Sequence, residues 1–153
     1  VDFARANELD ISFIEEMPLG QISEHSRAEA FVPSSELRAI IGARHALEPV
    51  EDSTGGPSRY WRMADSPIRV GFISPHSHNF CHLCNRVRLT CTGTLHTCLG
   101  REDASDLRSV IRAGGDLEVA IRAAIGEKPK GHDFLIERGS APSVSRHMST
   151  TGG

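Results

Sequence analysis

Cys81 and Cys84 stand two residues apart, and Cys98 follows after thirteen more. A Cys-x-x-Cys turn lets two thiolates grip one metal centre, and a third thiolate arriving from a hairpin would complete a tripod. Soft sulfur ligands select zinc, copper(I) or iron–sulfur clusters. Arg86 and Arg88 leave the same turn, and the guanidinium fork is suited to phosphate or carboxylate. The residues therefore point to a soft metal beside an anion site. Structural zinc needs four ligands, and His76, His78, His82 or His96 could supply the last. On the residues alone, zinc and an iron–sulfur cluster both stay open. A thioredoxin-type redox pair would require a strand-to-helix context that is missing. A disulfide would suit an exported chain, and neither a charged-then-apolar leader nor a long apolar run is present here.

The hairpin that must deliver Cys98 is legible. Arg86–Cys91 reads as a strand, Thr92-Gly93 as its turn, and Thr94–Leu99 as the return. A two-residue turn pairs Cys91 with Thr94 and Val87 with Cys98. Cys98 then returns close to Cys84. Cys91 stays at the tip, roughly 13 Å away at strand rise, too far to share an ion, and is expected to be a small apolar residue on the hairpin face. The tripod is left with one open position. Arg86 and Arg88 share one strand face by their i, i+2 spacing, and this register puts Cys98 on the other face, with Val87.

The remaining sequence supplies a modest core. Of the 153 residues, 39% are hydrophobic and 24% charged, values ordinary for a globular protein. The net charge of −3 argues against broad nucleic-acid binding while permitting a small basic pocket. Val1–Leu9 reads as the last turns of a helix and Ile11–Glu16 as a buried strand, closed by Met17-Pro18-Leu19-Gly20. The start at Val1 with a helix under way reads as a piece cut from a longer protein. Residues 21–32 read as a loop. Ser34 is expected to cap a helix carrying Leu37, Ile40 and Ile41, ended by Gly42. Strands are expected at Leu47–Val50, Arg59–Met63 and Ile68–Ser74. With the cysteine hairpin they would form an antiparallel sheet of four or five strands. Ser105 and Asp116 are expected to cap two further helices, the second ended by Gly126 and Pro129. After Lys130 the pattern fades into a polar tail.

Four segments together resemble the GTP 3′,8-cyclase family of radical S-adenosylmethionine enzymes, which open molybdenum-cofactor biosynthesis. They are the cysteine string from Phe80 to Leu99, FIEEMPLG (Phe13–Gly20), GFISPHSHNFC (Gly71–Cys81) and the terminal Gly152-Gly153. The resemblance covers essentially the whole chain and corresponds to the family's C-terminal half. It implies an α+β fold from an α/β parent. Residues 1–20 would be the last helix and strand of an incomplete triosephosphate-isomerase-type barrel. Residues 21–130 would form a domain of antiparallel sheet, flanking helices and cluster-binding hairpin, and residues 131–153 a tail ending in Gly-Gly.

The resemblance also implies the chemistry. Cys81, Cys84 and Cys98 match the ligands of a substrate-side [4Fe–4S] cluster whose open iron binds the purine of GTP. Arg86 and Arg88 match a substrate-binding arginine pair, and the terminal Gly152 and Gly153 would reach towards the active site. Glu15 and Glu16 lie at a strand end where barrel enzymes place functional groups, and strand alternation lets at most one of them face the cavity. A second [4Fe–4S] cluster and S-adenosylmethionine would belong to an N-terminal half, whose Cys-x-x-x-Cys-x-x-Cys motif is absent from these 153 residues. The chain alone is therefore expected to be inactive. His82 stands between the paired cysteines where the family often has glycine. The implied partners are GTP, the N-terminal half and the downstream cyclic pyranopterin monophosphate synthase, with homodimerisation open. Neither nucleic acid nor membrane is expected as a partner, and the implied location is the cytoplasm. Zinc-stabilised binding modules and auxiliary-cluster domains of other radical enzymes are the competing classes.

Overall fold

The computed structural model describes residues 1–151; the Gly152 and Gly153 expectation lies outside them. Two units divide the chain, Val1–Met17 with Ala30–Phe80, and Pro18–Glu29 with the segment from Cys81 onward. The overall character is mixed α and β with two separate sheets and short helices, and no closed barrel forms among the described residues.

In the first unit, α1 (Asp2–Ala6) leads into β1 (Ile11–Ile14). A single turn, α2 (Arg27–Ala30), lies in the segment expected to be loop and belongs, but for Ala30, to the second unit; α3 (Ser34–Gly42) follows in the first. Strands β2 (Leu47–Val50), β3 (Arg59–Met63) and β4 (Ser66–Ile73) complete a sheet of order β1-β4-β3-β2. β1 runs parallel to β4, with Ile11 opposite Val70 and Ile14 opposite Ile73, while β2, β3 and β4 are antiparallel. Alternation explains β4: Ile68, Val70 and Phe72 all turn to one side, where they meet Ala4, Ile41 and Met63 in the core. Burying a side chain of this size stabilises by roughly 1.5–3 kcal/mol. The single antiparallel sheet expected from sequence is thereby corrected. The N-terminal strand takes the fourth place in this sheet, in parallel, and the cysteine hairpin belongs to another one. β1 is also less buried than its composition suggests, since Ile14 is 56% exposed.

The second unit holds β5 (Arg88–Leu89), β6 (Thr94–His96) and β7 (Ala104–Asp106) as an antiparallel sheet of order β5-β6-β7. The helices α4 (Leu107–Arg112) and α5 (Leu117–Gly126) follow. Leu95, Leu107 and Ala124 form its core, with Ala120 and Ile121 packed against them. Asp116 caps α5 as expected, accepting from the Val119 N–H at 3.1 Å. The α4 cap is Asp106, not Ser105, accepting from the Ser109 N–H at 3.0 Å. Ser105 is occupied opposite Leu95 in β7, so the helix begins one residue later. Beyond Lys130 two of the described residues are buried: Val144, 1% exposed, bridges Leu19 in parallel, and Thr151 is 0% exposed. No helix among the described residues is long and apolar enough to cross a membrane.

Candidate cysteine and arginine site

A single 3-10 turn, Cys81–Leu83, begins the site, closed by the Cys84 N–H donating to the Cys81 carbonyl at 3.1 Å. Three residues per turn eclipse positions i and i+3, so the Cys-x-x-Cys spacing sets both thiols on one side of the turn. The backbone of Gly131 passes close by; a methyl group there would lie 3.2 Å from Cys81 Cβ and 3.3 Å from its Sγ. His82 projects exposed from the same turn.

The hairpin differs from the sequence expectation by one residue. Arg88 pairs with His96 and Leu89 with Leu95. The loop is three residues long: the Gly93 N–H donates to the Thr90 carbonyl at 3.0 Å, the Thr90 N–H donates to the Thr94 carbonyl at 2.9 Å, and Gly93 has φ +83°. This is a type I turn followed by a left-handed glycine, a bulged hairpin loop. A register slip of one residue moves every side chain to the opposite face. Val87 is therefore not the counterpart of Cys98. The pairing stops at Arg88–His96: Arg86 and Cys98 each lie two residues beyond that pair, outside β5 and β6, at the base of the hairpin. The conflict created by a two-residue turn rested on a Val87–Cys98 pairing that the three-residue loop does not form. Cys91 is exposed, in the loop at the tip of the hairpin.

Cys81, Cys84 and Cys98 are all half-buried free thiols within the second unit. As three soft donors, with no disulfide among them, they fit an iron–sulfur cluster or zinc in kind. Among the described residues, no group of three or more His, Cys, Asp or Glu side chains converges closely enough to hold a metal ion. Two cations from later segments wire the hairpin base. The Lys128 ammonium donates to the Arg86 carbonyl at 3.0 Å and to the Thr97 carbonyl, and lies 4.0 Å from Cys84 Sγ. The Arg146 guanidinium donates to the carbonyls of Cys98 at 3.3 Å, Leu99 at 3.0 Å and Arg101, and pairs with Glu102 at 2.5 Å. Sequence inspection overlooked both. Lys128 sits at a helix end where a lysine is ordinary, and Arg146 lies in a stretch without periodicity.

The histidines separate. His96 in β6 is 8% exposed, and its Nδ1 has no hydrogen-bond partner among the described residues. Burial, reinforced by the Arg146 charge, lowers its pKa below the usual histidine value. His76 and His78 belong to the first unit. The His76 ring meets Phe31 edge-on at 5.0 Å. His78 borders a small cleft with Arg38, Arg59 and Trp61.

Glu15, one of the two acids at the end of β1, is 3% exposed and fully engaged. Its carboxylate accepts from the N–H groups of Ser34 at 2.8 Å, His76 at 3.1 Å and Ser77 at 2.9 Å, and from the Ser77 hydroxyl. Ser34 therefore does not cap α3 with its own side chain. Pro33 holds the cap position, and the Glu15 carboxylate accepts from the buried first N–H of the helix, at Ser34. Burial pushes the Glu15 pKa up, but the bonds from Ser77, Ser34 and His76 outweigh it and hold the pKa below 4.5. A depressed folded pKa stabilises above the unfolded value and loses that contribution as pH falls through the folded one. Glu15→Gln should therefore cost stability at neutral pH and flatten the loss of stability below about pH 4.5. Glu15→Ala, which strands several donors, should cost about 3 kcal/mol. Urea unfolding at pH 7 and pH 4 measures both, and equal pH slopes for the Gln variant and the parent would count against this role.

Residues 9–134 match the family model described as Molybdenum Cofactor Synthesis C. The chain is 53% identical over its whole length to a GTP 3′,8-cyclase of Nitrobacter hamburgensis. It is 57% identical, over 95% of its length, to one of Rhodopseudomonas palustris, and 52% identical, over 99%, to one of Rhizobium etli. It spans 45%, 43% and 44% of those three proteins, less than half the length of each. With a family match across most of the chain and this level of identity, the chain belongs to the Molybdenum Cofactor Synthesis C family.

Proposed function

We propose that the chain forms the C-terminal, substrate-side part of a GTP 3′,8-cyclase, the enzyme that converts GTP to (8S)-3′,8-cyclo-7,8-dihydroguanosine 5′-triphosphate at the start of molybdenum-cofactor biosynthesis. The observation that carries this reading is the bulged hairpin, whose Arg88–His96 pair leads the chain back to Cys98 two residues later, while Lys128 bonds the Arg86 and Thr97 carbonyls and lies 4.0 Å from Cys84 Sγ. Cys81, Cys84 and Cys98 would hold a [4Fe–4S] cluster. When bound, that cluster offers an iron with an open coordination position to the purine. Arg86 and Arg88 would bind and orient the triphosphate by charge-assisted hydrogen bonds. The tail beyond Val144 would carry Gly152 and Gly153 towards the substrate.

The radical-generating cluster and S-adenosylmethionine would reside in a preceding half, and residues 1–20 would complete its barrel. The parallel β1–β4 pair supports that parentage, because parallel strands are ordinarily covered on both faces. Phe3, Leu9 and Ile14 are 74%, 51% and 56% exposed around that edge, an apolar surface the preceding half would cover. Without that half the chain binds but does not cyclise. GTP, the preceding half and the downstream cyclic pyranopterin monophosphate synthase are the proposed partners, in the cytoplasm.

Anaerobic reconstitution with iron and sulfide tests the cluster. A broad absorption near 400 nm with about four irons per chain is expected. A second reading, structural zinc bound by the three cysteines and His96, has the unbonded buried Nδ1 of His96 in its favour. Stoichiometric zinc that iron cannot displace, and that His96→Ala releases, would replace the cluster reading.

A further inference from the structure

The side chain of Lys128 leaves its helix to reach the cysteine site. Its backbone N–H donates to the Ile125 carbonyl at 3.1 Å and finishes α5. Its ammonium caps no α5 carbonyl. The acceptors it does meet lie on both legs of the hairpin: the Arg86 carbonyl two residues after Cys84, the Thr97 carbonyl one residue before Cys98, and Cys84 Sγ at 4.0 Å. An ammonium has three donors, and these three acceptors account for them. Among the described residues the ammonium pairs with no carboxylate, whereas Arg5, Arg62, Arg69, Arg101, Arg122, Arg138 and Arg146 all do. A half-buried cation is unfavourable without compensating charge. One of its three acceptors is the sulfur of Cys84, a proposed ligand of the site.

We propose that Lys128 is a positioning residue of the cysteine site, tying the Cys84 turn to the Cys98 strand and setting one positive charge beside the sulfur ligands. The inference rests on the cluster reading above. A three-thiolate iron–sulfur cluster is net negative and becomes more so on reduction. Its potential responds to nearby charge and to hydrogen bonds at sulfur, and groups just outside the ligands govern metal retention. A lysine so placed holds the hairpin legs at ligand spacing and favours the reduced form.

Anaerobically reconstituted chain is compared with Lys128→Gln, which keeps a donor without the charge, and Lys128→Arg, which keeps the charge. Circular dichroism confirms that each folds. Lys128→Gln is expected to lose iron to a chelator about 10-fold more readily and to shift the cluster midpoint potential downward. Lys128→Arg should hold the potential near that of the parent. An unchanged potential and unchanged iron retention in Lys128→Gln would overturn the inference while leaving the cluster reading intact. Equal iron loss in both variants with no change in potential would also overturn it, because packing alone would then explain the effect. Failure of the parent chain to take up iron at all would remove the cluster reading, and this inference with it.

Discussion

Changing Cys81, Cys84 or Cys98 singly to alanine is expected to reduce reconstituted iron from about four per chain to less than one and to abolish the absorption near 400 nm. Cys91→Ala should leave both unchanged. The contrast follows from position. Cys81 and Cys84 share one face of a 3-10 turn, and Cys98 returns at the base of the hairpin, while Cys91 is exposed at its tip. A tripod has no spare ligand, so losing one sulfur leaves two, and a cluster held by two cysteines at an exposed turn is readily lost. Iron and sulfide analysis of the four variants measures this directly. Full iron in Cys98→Ala would exclude the tripod, whatever the outcome for the other two. Iron loss in Cys91→Ala equal to that in Cys98→Ala would mean that the hairpin tip takes part in the site.

The second large effect concerns the nucleotide. Arg86→Ala combined with Arg88→Ala should weaken GTP binding by about 3–6 kcal/mol, since hydrogen bonds to charged groups contribute roughly 1.5–3 kcal/mol each. Even the lower figure exceeds a hundredfold in Kd. Arg88 is half-buried and Arg86 exposed, so Arg88 should dominate, with less of its charge screened by solvent and salt. Val87→Ala, between the two arginines and without charge, is the control and should leave affinity within a few-fold. Calorimetric titration of the reconstituted chain with GTP separates these outcomes. Unchanged affinity in the double variant would withdraw the phosphate role from the pair. A loss as large for Val87→Ala would show that hairpin stability, not charge, is being measured.

Both predictions lean on the hairpin register, which shows how far local sequence reaches. Gly93 marks the turn, and its position is plain from composition. Whether the loop holds two or three residues depends on backbone hydrogen bonds at Thr90, which decide between two loops of nearly equal local cost. One residue of difference reverses the strand faces, and so decides which residue stands opposite Arg88. Helices with a side-chain cap and periodic apolar positions, as at Asp116, were legible to within a residue. Ser105 was not legible as a strand residue, because β7 exists only by pairing with β6. Glu15 and Lys128 carry no local signature of their contacts, which come from residues 19 to 62 and 31 to 44 positions away.

Sequence by itself determined the candidate ligand types, the Cys-x-x-Cys spacing, the arginine pair and the family to which the chain belongs, because spacing along a chain fixes what a short turn can present. Tertiary structure decided the rest. It put the N-terminal strand parallel to β4, gave the hairpin a sheet of its own, spent Glu15 as an internal acceptor and brought Lys128 and Arg146 to the base of the cysteine hairpin. The reason is that strand pairing, the burial of polar groups and the pairing of charge are settled between distant segments, where each donor must find an acceptor that no local pattern announces.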